Sequence, residues 1–241
     1  MAYTPVYTSV SEVQVKSGLT TEFDLTQDAN VQATIEEAER ELEGITGRVW
    51  TTQTITEFLN VRKMDVIGRF QDKIILKNYP VLSINSFSVL DFNDNTVYSF
   101  APLTSTQIQA GVFDTIDYWV EPFFDVFSNT YAAGGVIKLK TVDLTSETNR
   151  VKINYSFGYT TPPVVIRDLA TCMSAIRVWV YFMGGQYNRL NSYSIPQQNV
   201  EKGDFYDRGL KTIASLQAEA DKLIDRIGER RRIQFYSVGG Y

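Results

Sequence analysis

Apolar residues between Asp28 and Arg48 recur at alternating steps of four and three: Val31, Ile35, Ala38, Leu42 and Ile45. That spacing puts them on one stripe of a helix, and the glutamates of EEAERELE take its wet face. Asp28 is placed to cap the start, and Gly44 and Gly47 to end it. From about Val49 to Tyr159 the period changes to alternation. TTQTITEFLNV, DKIILKN, SINSFSVLD, NTVYSF, GVIKLKT and RVKINYSFGY each interleave β-branched or aromatic residues with polar ones, which predicts a block of strands. Asn93, Asp94 and Asn95 supply tolerant turn positions for a hairpin, while Pro80 and Gly158 fall near strand ends. The aromatic, acidic stretch from Val112 to Tyr131, interrupted by Pro122, reads as a long excursion between strands with a short edge strand.

Helical spacing returns after TTPP. Val165, Leu169, Cys172, Ile176 and Trp179 or Val180 define a wide apolar face, Pro163 suits the first turn, and Gly184 and Gly185 end the segment. A helix so apolar is expected to be largely buried. Residues 186–204 are polar, contain Pro196 and show no clear period, so they read as a long loop. A third helix follows, with Leu210, Ile213, Leu216 or Gln217, Ala220, Leu223 or Ile224, and Ile227 on its stripe. Lys222, Arg226 and Arg230 sit toward its end, where positive charge suits the helix dipole. The chain then closes in RRRIQFYSVGGY.

This order predicts an α+β fold in which one N-terminal and two C-terminal helices form a bundle, with an antiparallel β domain inserted and an extended C-terminal tail. The divisions expected are an N-terminal arm with the first bundle helix over 1–48, the β domain over 49–160, the C-terminal helices over 161–229, and the tail over 230–241. No helix is stable alone, so the three are expected to hide their stripes on one another.

Composition narrows the function. With 241 residues and 44% hydrophobic content, the chain is long enough for one or two domains with real cores. The 14 Tyr and 14 Phe suit either aromatic cross-strand pairs or extensive interfaces. A net charge of −5 does not present the basic surface that tight nucleic-acid binding needs. No stretch approaches the about eighteen apolar residues of a membrane span, and MAYTPVYTSV lacks the basic start of a signal peptide, so a cytoplasmic site of synthesis is expected. The one cysteine, Cys172, falls in an apolar helix as a small core residue.

There is no histidine. Imidazole metal sites, Ser-His-Asp and Cys-His pairs are thereby removed, and no phosphate-loop, dinucleotide, nucleophile-elbow or zincin motif is present. The chain reads as a non-enzyme without metal or cofactor.

A helix closing in TGR, a first strand, the segment LKNYPVLSINSFSVLDFNDNTVY, a strand closing in YSFGY, and then IRDLATCMSAIRVWVYF after proline stand in an order that resembles the head-tail connector proteins of tailed phages, also called adaptor or head-completion proteins. The resemblance covers roughly Thr26 to Met183. It implies a virion neck protein, assembled in the host cytoplasm, that forms a homo-oligomeric ring, typically a dodecamer, beneath the portal protein. The ring meets other neck or tail proteins and continues the DNA channel, passing double-stranded DNA without specific binding; no membrane is involved. The excursion and the third helix with its tail depart from shorter members.

In such connectors C-terminal segments reach the portal. The resemblance therefore implies a portal-binding tail, with Arg230, Arg231 and Arg232 against acidic carboxylates and Ile233, Phe235, Tyr236 and Tyr241 adding an extended strand to a sheet edge or lying in a groove. Arg189 and Lys202 in the long loop are the candidates for the lumen of the channel. The three arginines are equally a plain charge bias at a helix end. Two other readings stand beside the connector: another neck or tail-completion protein, and a cellular β-rich module that binds a glycan or peptide.

Overall fold

Ser9 and Glu12 start the first helix by trading hydrogen bonds: Glu12 N–H donates to Ser9 Oγ at 3.2 Å and Ser9 N–H donates to Glu12 Oε2 at 2.9 Å. This capping box opens α1 (Val10–Ser17), a helix too short for the spacing of apolar residues to reveal. The chain is described here from a computed structural model that covers residues 5–19, 25, 29–60, 73–91, 93–140, 150–184, 192–195 and 198–239, with the backbone alone at 60, 192–195, 198–204 and 231–239. It divides into two compact units, residues 1–50 with 162–229 and residues 51–161 with 230–241. The class is α+β, with helices before and after an antiparallel sheet.

The first unit is helical. In α2 (Ala29–Thr46), Val31, Ile35, Ala38 and Leu42 are buried as their spacing predicts. Ile45 is instead exposed, and Thr46 takes the inner place: its hydroxyl donates to Leu42 O at 2.8 Å and accepts from Trp50 Nε1 at 2.9 Å. A polar side chain wins there because it satisfies the buried indole. The most apolar helix, α4 (Val164–Gly184), is buried on most of its circumference, and Trp179 donates to Ser17 O at 2.9 Å.

The final helix, α5 (Lys202–Gly239), turns Phe205, Leu216, Ala220, Leu223 and Ile227 inward and leaves Leu210 exposed. Phe205 meets Trp179 with ring centroids 5.1 Å apart. The approach is close enough that a Cβ on Gly209 would lie 2.6 Å from Met183 Sδ.

Two expectations are corrected here. The stretch 186–204, expected as a long loop, contains an antiparallel pair, β8 (Ser192–Ile195) with β9 (Gln198–Glu201), and α5 already starts at Lys202. The alternation of Tyr193, Ile195 and Val200 was too short to register around Pro196. Likewise the backbone is helical through Gly239, where an extended tail was expected. No proline follows Pro196, and Glu, Arg and Gln are good helix formers, so a helix already nucleated propagates through ERRRIQF.

Among the described residues the second unit holds seven antiparallel strands: β1 (Gln53–Asn60), β2 (Lys73–Ile75), β3 (Val81–Leu90), β4 (Thr96–Phe100), β5 (Tyr118–Asp125), β6 (Thr130–Leu139) and β7 (Arg150–Phe157). Their order is β1-β7-β3-β6-β2, with β4 on β3 and β5 on β6. β3 divides its second edge, starting against β6 at Val81↔Ala133 and ending against β4 at Phe87↔Phe100. The inward positions pack Ile84, Phe87, Phe100, Leu103, Tyr118, Val151, Ile153 and Tyr155 into one core. Within it Phe87 stacks at 4.1 Å on Phe100 and meets Tyr118 edge-on at 5.2 Å.

The β3–β4 hairpin turns at Asn93–Asn95 as expected, held by Asp91, which accepts the N–H of Asn93 and of Asn95 at 2.8 Å each. Gly158 carries a φ of +100°, and a Cβ there would lie 2.3 Å from Thr51 O, so this strand end admits only glycine. The expected excursion from Val112 to Tyr131 is for the most part a hairpin of β5 and β6, with a short α3 (Ser105–Gln109) ahead of it. Pro122 is tolerated because β5 pairs only with β6 among the described residues and its register shifts between Val120 and Pro122.

Candidate assembly surfaces

The first unit is tied together by a buried carboxylate. Glu39 is 2% exposed, and its Oε1 accepts the backbone N–H groups of Val6 at 3.1 Å, Tyr7 at 2.7 Å and Thr8 at 3.2 Å. Three amide dipoles aimed at one carboxylate compensate its loss of water, so the N-terminal arm is fixed along α2. Tyr7 extends the contact: its hydroxyl donates to Glu43 at 2.5 Å and accepts Trp50 N–H at 3.1 Å. Burial, then the hydrogen bond to Glu43, raises the Tyr7 pKa well above that of an ordinary phenol. The apolar period of α2 predicts a wet face for all its glutamates. Glu39 lies four residues after Ile35 and three before Leu42, on the apolar stripe itself, and a carboxylate in that position was the available signal.

Clefts open on this helical unit. One, of about 350 Å³, lies beside α1 and α4 and is lined by Ser11, Val15, Lys16, Arg167 and Asp168 among others. Arg167 pairs with Glu12 at 2.9 Å and Lys16 with Glu219 at 2.6 Å. Hydrogen bonding to Ser9 and then the pair with Arg167 hold the Glu12 carboxyl below the usual range, and Glu219 raises the Lys16 ammonium. Cys172, buried beneath, is pushed up to about 11 by desolvation, only partly offset by Lys16.

The larger groove, of about 570 Å³, runs over α4 between α2 and α5. Ile45, Ile176, Val180 and Ile224 give it an aliphatic floor, and Ile45 and Val180 remain 48% and 54% exposed. Glu37, Glu41 and Asp221 stand at its rim with Arg177, which reaches Glu37 and Glu41 at 2.9 Å each. Helical spacing predicts a buried stripe through Ile45 and through either Trp179 or Val180; the structure buries Trp179 and leaves Ile45 and Val180 open.

The sheet unit shows a different surface. Across β1, β7 and β3 its outer positions carry hydroxyls and amides that bond to one another: Thr54 with Ser156 at 2.9 Å, Asn154 Nδ2 to Thr56 Oγ1 at 2.8 Å, and Asn85 Nδ2 to Asn154 Oδ1 at 2.9 Å. The face is polar without being charged over that span. Phe58 beside it is 60% exposed, with the Lys152 ammonium 5.6 Å over its ring.

Of the residues singled out in the tail, Arg230 is half-buried on α5, and Arg231, Arg232, Ile233, Phe235 and Tyr236 have helical backbone. Lys202 is the first residue of α5. Arg189 and Tyr241 lie outside the described residues. Thus the tail residues share one helix, and the geometry that strand addition requires is not present over 230–239. Among the described residues no group of three His, Cys, Asp or Glu side chains is placed to hold a metal ion, and no helix is long and apolar enough to cross a membrane.

No protein-family model and no curated protein matches the chain. Solved structures do. The chain is similar to a component of the neck of an empty gene transfer agent particle computed with C6 symmetry, at 15% identity and a TM-score of 0.44 over 83% of this chain and 87% of that one. The same values hold for a chain in the virion of the native gene transfer agent particle. A chain in the native neck computed with C12 symmetry gives 15% identity and a TM-score of 0.38 over 83% and 91%.

Proposed function

We propose that the chain is a structural protein of a phage-like neck, a head-tail connector whose copies assemble side by side into a ring beneath the portal and carry the DNA channel toward the tail. The observation that carries this reading is the order of sequence segments: the helix ending in TGR, the strand segments around LKNYPVLSINSF and YSFGY, and the proline-led helix IRDLATCMSAIRVWVYF. Helices that bracket a sheet, with an aliphatic groove left open on the helical unit, suit a subunit that completes itself against neighbours. An acidic chain with an uncharged hydroxyl and amide face also suits a wall past which phosphates slide without being held. Arg189 and Lys202 are the charges proposed for the lumen, and the turns from Arg230 onward are the stretch proposed to reach a neighbouring molecule.

The glycan or peptide module is less favoured. Trp50 and Trp179 are buried, and the Lys138 ammonium sits 4.8 Å over the ring of Trp119, so indole faces are not presented as a stacking platform. Another neck or tail-completion role is separated from the connector by its partner: the intact chain should be retained by immobilised portal protein alone.

Electron microscopy tests the reading directly. Particles carrying an epitope on this chain should be labelled at a single vertex, between head and tail. Label spread over the capsid, or none on complete particles, overturns it.

A further inference from the structure

The groove over α4 combines an aliphatic floor with a rim of three carboxylates, Glu37, Glu41 and Asp221, against one guanidinium, Arg177. The α2 wall keeps that sign, with Glu36 beside Glu37 and Glu41 and Arg40 as the helix's one basic residue. The same chain contains the complement. Arg230, Arg231 and Arg232 are consecutive, no acidic residue follows them, and Ile233, Phe235 and Val238 are interleaved behind them.

We propose that this groove takes the last turns of α5, from Arg230 to Gly239, of a second copy of the chain. The proposal rests on the ring reading and names the contact that links neighbours. Arginines would lie against the carboxylates of the rim, while the interleaved apolar residues cover Ile45 and Val180. Gln217, Ala220, Asp221 and Ile224 of α5 already form one wall of the groove, so the occupant is a further segment laid along them. Groove and ligand are different surfaces of one chain. The contact is therefore heterologous, the kind that closes into a ring when the rotation permits.

The test is self-association of the full chain, followed by mass photometry and sedimentation over a range of concentration and salt. Reversing the rim with Glu37→Lys and Glu41→Lys, or the tail with Arg231→Glu and Arg232→Glu, should each weaken association about tenfold or more, and combining the two sets should restore it to within about threefold. Circular dichroism of each variant checks that it is folded. A second arm places Val180→Cys and Ser237→Cys in a Cys172→Ser background; oxidation should give disulfide-linked chains between copies, and neither cysteine alone should.

Association that ignores both reversals, or reversals that weaken it without mutual rescue, overturns the proposal. So does a tail reversal that abolishes portal retention and leaves self-association intact, which would assign the tail to the portal. A chain found at the neck yet monomeric at all concentrations sinks this contact while leaving the ring protein's location standing, whereas absence from the neck sinks the reading beneath it.

Discussion

Glu39 holds Tyr7 by its backbone, with the Tyr7 N–H 2.7 Å from the buried Oε1 of a residue 32 positions later in the chain. Because Val6 and Thr8 donate to the same oxygen, the arm ahead of α1 is bound by one charged acceptor rather than by an apolar stripe. Removing it leaves three amides to find water. Glu39→Ala should therefore cost about 2–4 kcal/mol, the range for a buried charge-assisted acceptor, and Glu39→Gln about half as much. Urea unfolding measures the loss, and amide hydrogen exchange should show protection vanishing first over residues 6–8. Unchanged midpoint and protection in Glu39→Ala would contradict this account of the arm.

Two glycines of α5 predict opposite signs for the same substitution. At Gly209 a new Cβ would press on Met183 Sδ at 2.6 Å and on the Trp179 ring at 3.0 Å, so Gly209→Ala should destabilise by about 1–3 kcal/mol. At Gly228 nothing lies within 4 Å of the added atom, and the helical backbone favours alanine, so Gly228→Ala should stabilise by about 0.5–1 kcal/mol. Thermal unfolding of the two variants resolves the difference. The same sign in both would mean that the seat of α5 on α4 is misread.

These residues also mark what a sequence discloses. Long amphipathic periods are local, so α2, α4 and the body of α5 were legible from spacing, as was the β3–β4 hairpin from its Asn and Asp turn. α1 was not, since eight residues carry too little period, although Ser9 and Glu12 at capping-box spacing announced it. The β5–β6 hairpin hid behind Pro122, whose place at an edge is a fact of sheet order and not of local sequence. The open groove was illegible for a related reason: periodicity says that Ile45 and Val180 are apolar, and only packing decides which of two adjacent stripes is covered.

The ends of α1 should respond to pH in opposite ways. The Glu12 carboxyl titrates below its unfolded value, so its contribution is present above that value and lost as pH falls through the lower, folded one. Lys16 titrates above its unfolded value; its contribution is complete below that value and lost as pH rises through the higher, folded one. Both groups are partly exposed, so the effects are small and screened by salt. Ser9→Ala should move the Glu12 titration back toward that of a free glutamate, because the bond to Ser9 is the largest cause of its shift. Carboxyl titration followed by NMR checks this, and an unmoved Glu12 would show the capping box to be absent in solution.

Cys172 should be chemically silent until the helices separate. Its thiol is fully buried and its pKa is pushed up to about 11 because the thiolate would lose its water; the Lys16 ammonium recovers only part of that loss. At about pH 8 that leaves on the order of one thiolate in a thousand, against roughly one in four for a free cysteine, and burial limits access as well. Reaction with an aromatic disulfide reagent should therefore run at least about a hundredfold slower in the native protein than in concentrated guanidinium. Because Cys172 lies under α1 and beside the Lys16–Glu219 pair, Glu219→Ala should raise the native rate if α5 closes that face, whereas Glu37→Ala, on the rim of the groove, should leave it unchanged. A native rate close to the unfolded one would mean that α1, α4 and α5 do not enclose the thiol together.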